Sequence, residues 1–533
     1  MIKYFFLFLC CVTCLVYSEE IKSLIFVAPS YSISKKPIDC NGVCVLSDDI
    51  PDKELFSEKM SLFIGTSLDM DNLEMMRKTA LDFFKKRGQK FVIAKIPPDQ
   101  DITTGQVYVV IIFAKLGQIK CEGNRYFSDK LLKSKISIKE GSKINLKEID
   151  QDMEWINNNP FRGTTVLYEA GENIGETDIL LKTKDALPLR VYAGYDNTGN
   201  EVAGYSRYLT GFYWANAFGL DHRMDFQFKS AATMDKWWSV AGDYEIPLPW
   251  HNMLKFYGSY IKSHSPLNMY TDLQGKSWNF SFCYDIPIFV RSSKHNLIFG
   301  YDFKSTNNYL SFVQDLIYDR YIDISQFPIK YKMFLADKMG ETNLIFNLVL
   351  SPGKMTKNNT SKAFSIEREG AKSNYAYFRF GFDRKTYLIK NFSWNLEGLF
   401  QLSTGKLMPS EAFSVGGYRT VRGYQENAVI GDKGFLIKNE LYFPPINFNL
   451  KQNFPCTLNF LGFIDLGWAD DVDKSVMDKH AAILASIGPG FRFEASRFLN
   501  IRFDYGWQLK GINDRFFEKA WDSAMHLGVM VGF

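Results

Sequence analysis

The residues best suited to chemistry sit in "FSVGGYRTVRGYQENAVIGDKGF" at 413–435, where Arg422 stands between Val421 and Gly423 in a glycine-rich loop with strand-like sequence on both sides. In a soluble enzyme such a loop can cradle a phosphate. In a membrane pore the same arginine can be a permanent charge that ties a loop to a wall. Other chemistry finds little support. "SPGKMT" lacks the upstream glycine of a GxxxxGK[ST] nucleotide loop, and the six histidines are scattered without an HExxH or a close pair. There is no recognisable serine-nucleophile motif. No catalytic residue, metal ligand set or cofactor is expected.

Cys40 and Cys44 in "CNGVC" can close a small disulfide in an oxidising compartment. The alternative, half of a zinc site, is disfavoured because no second ligand pair follows at suitable spacing. Cys121, Cys283 and Cys456 are isolated and read as packed thiols, while Cys10, Cys11 and Cys14 fall in an N-terminal leader. That leader, residues 1–18, has Lys3 ahead of an apolar run from Tyr4 to Val16, with small residues before Glu19, and reads as a signal peptide. A membrane anchor is the alternative, but it needs roughly 20 apolar residues.

These residues have to be positioned by larger elements. The 533 residues carry a formal net charge of only +4, which gives no reason to expect a nucleic-acid partner. Aromatic residues make up 16%, with 46 Phe and 28 Tyr, yet mean hydropathy is slightly below zero. Aromatics spread through a chain that is not greasy on average suggest alternating strands rather than transmembrane helices.

Residues 19–187 read as two small α/β modules, 19–116 with an N-terminal extension and 117–187. In the first, Leu73, Met76, Ala80 and Phe84 recur at helical spacing up to a stop at Gly88, and "KFVIAKIPPDQDITTGQVYVVIIF" reads as two strands. In the second, Ser128 can cap one helix, and Asn145 with Glu148 can cap another whose buried stripe is Leu146, Ile149, Met153 and Ile156. "TTVLYEA" and "TDILLKT" complete a β-α-α-β-β unit. Such modules can add a peptide strand at an exposed edge, or can serve as spacers.

From residue 188 to the end, short alternating strands take over. In "DHRMDFQFKS", Asp221, Arg223, Asp225, Gln227 and Lys229 oppose His222, Met224, Phe226, Phe228 and Ser230. In "FLNIRFDYGW", Leu499, Ile501, Phe503, Tyr505 and Trp507 oppose Phe498, Asn500, Arg502, Asp504 and Gly506. Soluble sandwiches alternate too, but here one face is rich in aromatics, the other carries full charges, and the pattern persists to the C-terminus. A closed barrel of about 16 strands puts the greasy face in lipid and the charged face in a wet lumen, with no unpaired edge. The final strand "MHLGVMVGF" sets Met525, Leu527, Val529, Val531 and Phe533 against His526, Gly528, Met530 and Gly532. Its terminal aromatic, with Gly528 and Val531, resembles the signal read by the bacterial barrel-assembly machinery.

Together with the opening loop, these elements resemble the two-partner secretion transporters (TpsB), the hemolysin secretion/activation branch (ShlB/FhaC/HecB) of the Omp85 superfamily. The first module resembles that family's POTRA domain at "IPPDQDITTGQVYVVIIFAKLGQI" and the second at "EGNRYFSDK". "FSVGGYRTVRGY" resembles the family's lumen-inserted loop, here 405–433 between candidate strands 11 and 12. "GDKGFLIKNELYF", with Gly431, Asp432, Gly434, Asn439 and Glu440, is similar to the strand after it. Gly416, Gly417 and Gly423 permit a tight hairpin, from which Arg422 and its neighbour Tyr424 can enter the lumen. Alternation in "LNFLGFIDLGW" turns Leu458, Phe460, Gly462, Ile464, Leu466 and Trp468 to lipid and Asp465 inward. The family pairs an acid at this strand position with the loop arginine, so an Arg422–Asp465 contact is expected.

Two features depart from the pattern. Asn439 falls on the lipid face with Ile437, Leu441 and Phe443, which a bulge or a rim position would explain. In residues 19–65, where the family often has a plug helix and a Pro-rich linker, "KSLIFVAPSYSI" and "GVCVLSDDI" read as strand material with little linker. The resemblance implies a passive pore in the outer membrane, with the modules in the periplasm. It would export an unfolded secreted partner without nucleotide hydrolysis, contacting lipid and, during biogenesis, the assembly machinery. The runner-up is an Omp85-type assembly factor, an insertase. A diffusion porin would leave modules and arginine loop without purpose, and an esterase or protease barrel lacks a catalytic set.

Overall fold

The computed structural model describes residues 19–31, 38–173, 175–200, 203–268, 271–290, 293–312, 315–450, 454–473, 482–511 and 522–533. The predicted signal peptide, residues 1–18, lies outside the described residues. The chain divides into two compact units between Ala186 and Leu187.

The first unit holds two modules. In the N-terminal one, helices Lys53–Met60 and Met70–Lys86 pack on a four-stranded sheet in the order Gly42–Val45, Ser23–Val27, Gln106–Phe113, Val92–Lys95. The longer helix starts where the Asp69 carboxylate accepts the Asn72 N–H at 2.8 Å and stops before Gly88, which has φ +82°. Phe26, Phe56, Phe83, Phe84 and Phe113 stack edge and face in its core. The module thus exceeds the expected β-α-α-β-β plan by one strand. Gly42–Val45 pairs in parallel with Ser23–Val27, and the Cys40 and Cys44 sulfurs beside it are bonded, their Cα atoms 6.2 Å apart. Within residues 19–65, the strand reading holds at Ser23–Val27 and Gly42–Val45, and the helix Lys53–Met60 follows them.

In the second module, helices Asp129–Lys133 and Leu146–Ile156 cover a sheet in the order Lys115–Glu122, Glu176–Asp185, Arg162–Ala170. Asn145 accepts the Lys147 N–H, and its amide donates to Glu148 at 2.8 Å, so the acid supports the cap residue's side chain. The buried stripe is Ile149, Asp152, Trp155 and Ile156 rather than the predicted one, with Leu146 and Met153 less buried. Asp152 tolerates burial because it accepts both the N–H and the hydroxyl of Ser137.

The second unit is a closed antiparallel barrel. Among the described residues it has sixteen strands, the twelfth interrupted between Lys433–Tyr442 and Ile446–Asn449, both of which pair with Pro455–Asp470. The ring closes where Ser523–Gly532 meets Leu189–Asp196. No described helix is long and apolar enough to cross a membrane. Alternation follows the sequence: Phe460 and Ile464 are 47% and 52% exposed, while Leu461, Phe463 and Asp465 are buried. Phe346, Phe380, Phe400, Phe435 and Trp468 stand opposite one another on five successive strands, an aromatic band on the outer face. Short turns such as 388–392 lie at the end carrying both barrel termini, and the long connections 352–374 and 404–432 lie at the other.

Candidate functional site

Residues 404–432, between the eleventh and twelfth strands, fold back into the barrel as a hairpin whose stem pairs Phe413–Val415 with Val429–Gly431. Gly416 and Gly417, with φ +106° and +108°, lead the chain from the stem into its tip, residues 416–428. Val415, Val421, Tyr424 and Val429 form a small apolar cluster with the inward residues Leu436, Ala469 and Leu484. This cluster presses the hairpin against one side of the wall and leaves Arg422 fully buried.

Alternation around Ile464 points Asp465 inward, and the structure brings it to Arg422. The guanidinium donates from Nε and Nη2 to the two Asp465 oxygens, both at 2.7 Å, and the Arg422 backbone N–H adds a third bond at 3.1 Å. This is the bidentate fork for which arginine is suited and lysine is not. Nη1 reaches Glu440 at 2.6 Å and Asp504 at 3.3 Å, and the guanidinium lies 3.5 Å from the centroid of the Phe463 ring. Three carboxylates around one arginine would repel one another, but Arg492 bonds Asp504 at 2.9 Å and approaches Glu440, and Arg502 bonds Asp504 at 2.8 Å. The charges alternate in sign across the inner wall, and the hydrogen bonds compensate their removal from water.

The backbone beside Arg422 is held as closely as its side chain. Gly423 donates its N–H to His526 Nε2 at 3.1 Å and accepts from Gln508 at 2.7 Å. It touches Gly506 on the wall: a Cβ at either glycine would come within 2.8 Å of the other's backbone. The Tyr424 hydroxyl donates to the Lys510 carbonyl at 2.5 Å and accepts the Ala485 N–H at 3.2 Å. Arg502 donates to the Tyr418 carbonyl and lies over its ring, and that ring's hydroxyl occupies the space a Cβ on Gly528 would need.

The other predicted residues divide clearly. Glu440 joins the arginine, whereas Asn439 faces outward, half-buried between Leu396 and Ile464 on unbroken pairing. Neither of the two explanations for Asn439, a bulge or a rim position, is seen: the register is continuous across it and it lies inside the strand Lys433–Tyr442. Gly431 ends the hairpin stem opposite Phe413, and Gly434 lies against the Phe413 ring. Asp432 is buried and bonded to Arg368. Val531 pairs with Leu499 and Ala193 on the closing strand, and Phe533 is 75% exposed beside Phe498, so neither reaches the lumen cluster. Cys40 and Cys44 belong to the first unit. Asp504, Phe463, Gly506, Gln508 and His526 also meet the hairpin, and no local sequence signal marks them as its partners. Alternation alone puts Asp504 and Gly506 on an inward face, but it cannot say which inward residues meet the loop.

Residues 175–493 match the family model "Haemolysin secretion/activation protein ShlB/FhaC/HecB", and residues 114–183 match a POTRA model, "Surface antigen variable number repeat". The chain is 22% identical over 422 residues to the heme/hemopexin transporter protein HuxB of Haemophilus influenzae, covering 76% of this chain and 71% of that one. The solved structure of CdiB from Escherichia coli superposes with a TM-score of 0.73 at 17% identity, over 96% of this chain and 90% of that one. BamA from Haemophilus ducreyi lacking POTRA domains 1–3 follows with a TM-score of 0.52 at 13% identity, over 90% and 97%. With two periplasmic modules and an arginine-tethered hairpin inside its sixteen-stranded barrel, the chain belongs to the haemolysin secretion/activation protein family ShlB/FhaC/HecB, the two-partner secretion transporters of the bacterial outer membrane.

Proposed function

We propose that the barrel exports one secreted partner polypeptide, unfolded, from periplasm to cell surface, and that the hairpin is the part that moves to let it pass. The observation that carries this reading is the buried Arg422, joined by side chain and backbone to the inner wall. A hairpin fixed there takes up part of the lumen, and releasing it would widen the path for a crossing chain, which makes the barrel a gated conduit. No catalytic step is assigned to the chain; net movement would draw on the partner folding outside. HuxB is named for heme/hemopexin transport, and the chemical identity of this chain's cargo is left open by that likeness.

An insertase would work through a sheet edge opened toward lipid. Here the closing seam runs from Gly528 opposite Asp196 to Gly532 opposite Tyr192. It is extended by Val191 and Phe533, which exchange both backbone bonds, and by Asn197 bonding the Met525 carbonyl and the Leu527 N–H. That zipped edge favours export. Depleting the protein separates the two readings: export predicts loss of a single protein from the medium or cell surface with outer-membrane barrels unchanged. A general fall in outer-membrane barrels would establish the insertase instead.

A further inference from the structure

Arg422 is not the only arginine that holds the hairpin. Residues 352–374, the connection from Gly340–Ser351 to Tyr375–Tyr387, emerge at the same end of the barrel as the hairpin and pack against the barrel wall and the hairpin's base. Thr356 and Asn359 fasten this loop to Asp323, through the carboxylate at 2.7 Å and the backbone carbonyl at 2.8 Å. Its short helix, Ser361–Glu367, is capped by Thr360 and buries Phe364 completely. Phe364 lies in one apolar cluster with Ile324, Val349, Tyr375 and Tyr377 of the wall and with Leu407 and Met408 of the hairpin's own base.

The loop then delivers Arg368 to the point where the hairpin rejoins the wall. Its Nη1 bonds Asp432 at 2.5 Å and the Leu407 carbonyl at 2.5 Å, while Nη2 bonds Asp432 at 3.2 Å and Asp471 at 2.6 Å. Leu407 is at the descending base of the hairpin, Asp432 at its ascending base, and Asp471 just past the wall strand Pro455–Asp470. One guanidinium therefore joins a mouth loop, both bases of the hairpin and the wall. Asp432 is fully buried, and its carboxylate also accepts the Leu407 and Val472 N–H groups. A carboxylate in that position depends on its cation.

We propose that Arg368 is a second, outer latch on the hairpin: a positioning residue that must release Asp432 and Asp471 before the hairpin can leave the lumen. This rests on the gated-export reading above. Its motion makes the loop 352–374 an outer gate and the Arg422 cluster an inner one, released in that order from the cell surface side or in reverse from the periplasm. Because the Arg368 side chain is 18% exposed while that of Arg422 is buried, salt screens the outer latch more than the inner one.

The test is single-channel recording of the purified full-length barrel in planar bilayers, without cargo. The variants are Arg368→Gln, Asp471→Asn, Arg368→Lys and, for reference, Arg422→Ala. Heat-modifiable gel mobility identifies folded barrels, and Asp471→Asn carries the test should Arg368→Gln not fold. A latch predicts that both neutral variants raise the open probability about tenfold, that Arg368→Lys recovers most of the closure, and that added salt raises opening in the parent but not in Arg368→Gln. Parental open probability in folded Arg368→Gln and Asp471→Asn, with Arg422→Ala open, overturns the outer latch and leaves the export reading standing. Silence of all variants, Arg422→Ala included, overturns the gated hairpin and the latch together.

Discussion

Replacing Arg422 by alanine should release the hairpin, and the structure sets the size of the effect. The substitution removes two bonds to Asp465, one to Glu440, a contact with Asp504 and the face of Phe463. It leaves the buried Asp465 with the backbone N–H of residue 422 as its remaining bond to the hairpin. Removing one partner of a buried ion pair costs about 3–5 kcal/mol, which moves an in/out equilibrium roughly 10²- to 4 × 10³-fold toward release. Asp465→Asn is the milder change, because Arg422 keeps Glu440 and Asp504 and the amide oxygen still accepts. Its cost is about 1.5–3 kcal/mol, the worth of a hydrogen bond to a charged group. Arg422→Ala should therefore exceed Asp465→Asn in channel opening and in protease access to residues 413–431, read on barrels that retain folded mobility. A double-mutant cycle should return a coupling of at least about 1 kcal/mol. The reasoning is refuted if folded Arg422→Ala stays closed and protected, or if Asp465→Asn proves the more severe.

Three further outcomes are expected. Gly506→Ala should loosen the hairpin by about 1–3 kcal/mol, since its Cβ would lie 2.6 Å from the Gly423 nitrogen; a protease-resistant hairpin in that variant would show the contact to be unimportant. In the second periplasmic module, the Lys120 ammonium at 2.7 Å and the Gln118 N–H hold the Asp178 carboxyl below its usual range. A depressed folded value contributes stability above the unfolded pKa of about 4 and loses it as pH falls through the folded value. Asp178→Asn should accordingly flatten the acid limb of thermal melts of residues 19–186, and an unchanged limb would contradict this. Replacing Cys40 and Cys44 by serine should cost about 2 kcal/mol for so short a loop, measured as a lower melting temperature of the same fragment; parity with the oxidised parent would place the stability of Gly42–Val45 elsewhere.

Much of this architecture could be read from local pattern. A period of two separated Ile464 from Asp465, and the same rule put Met525 outside and His526 inside. Caps at Ser128 and Asn145 announced their helices because a side-chain oxygen next to an orphan N–H is a local fact. What pattern could not supply was long-range. The stripe of Leu146–Ile156 shifted toward Trp155 because Asp152 found Ser137, a partner fifteen residues away in sequence. Gly42–Val45 joined the first sheet through parallel pairing, which carries no turn signature. At the lumen site, Asp465 was legible because alternation and family resemblance converged on it. Asp504, His526 and Arg368 were not, since an inward charge is an ordinary feature of a wet barrel until the position of the hairpin is known.

The hairpin lies against the wall strand Pro455–Asp470 and must leave it for cargo to pass. A Cβ built on Gly467 would sit 3.2 Å from the Cβ of Val415, close to the ~3.5–4.5 Å span of a disulfide. Export through a Val415→Cys/Gly467→Cys barrel, compared with each single variant, is the measurement to make. The account predicts a cross-link in the oxidised folded barrel, export arrested while it persists, and export restored by reductant to the level of the single variants. A barrel that forms no cross-link, or one that exports at full rate while cross-linked, would contradict it.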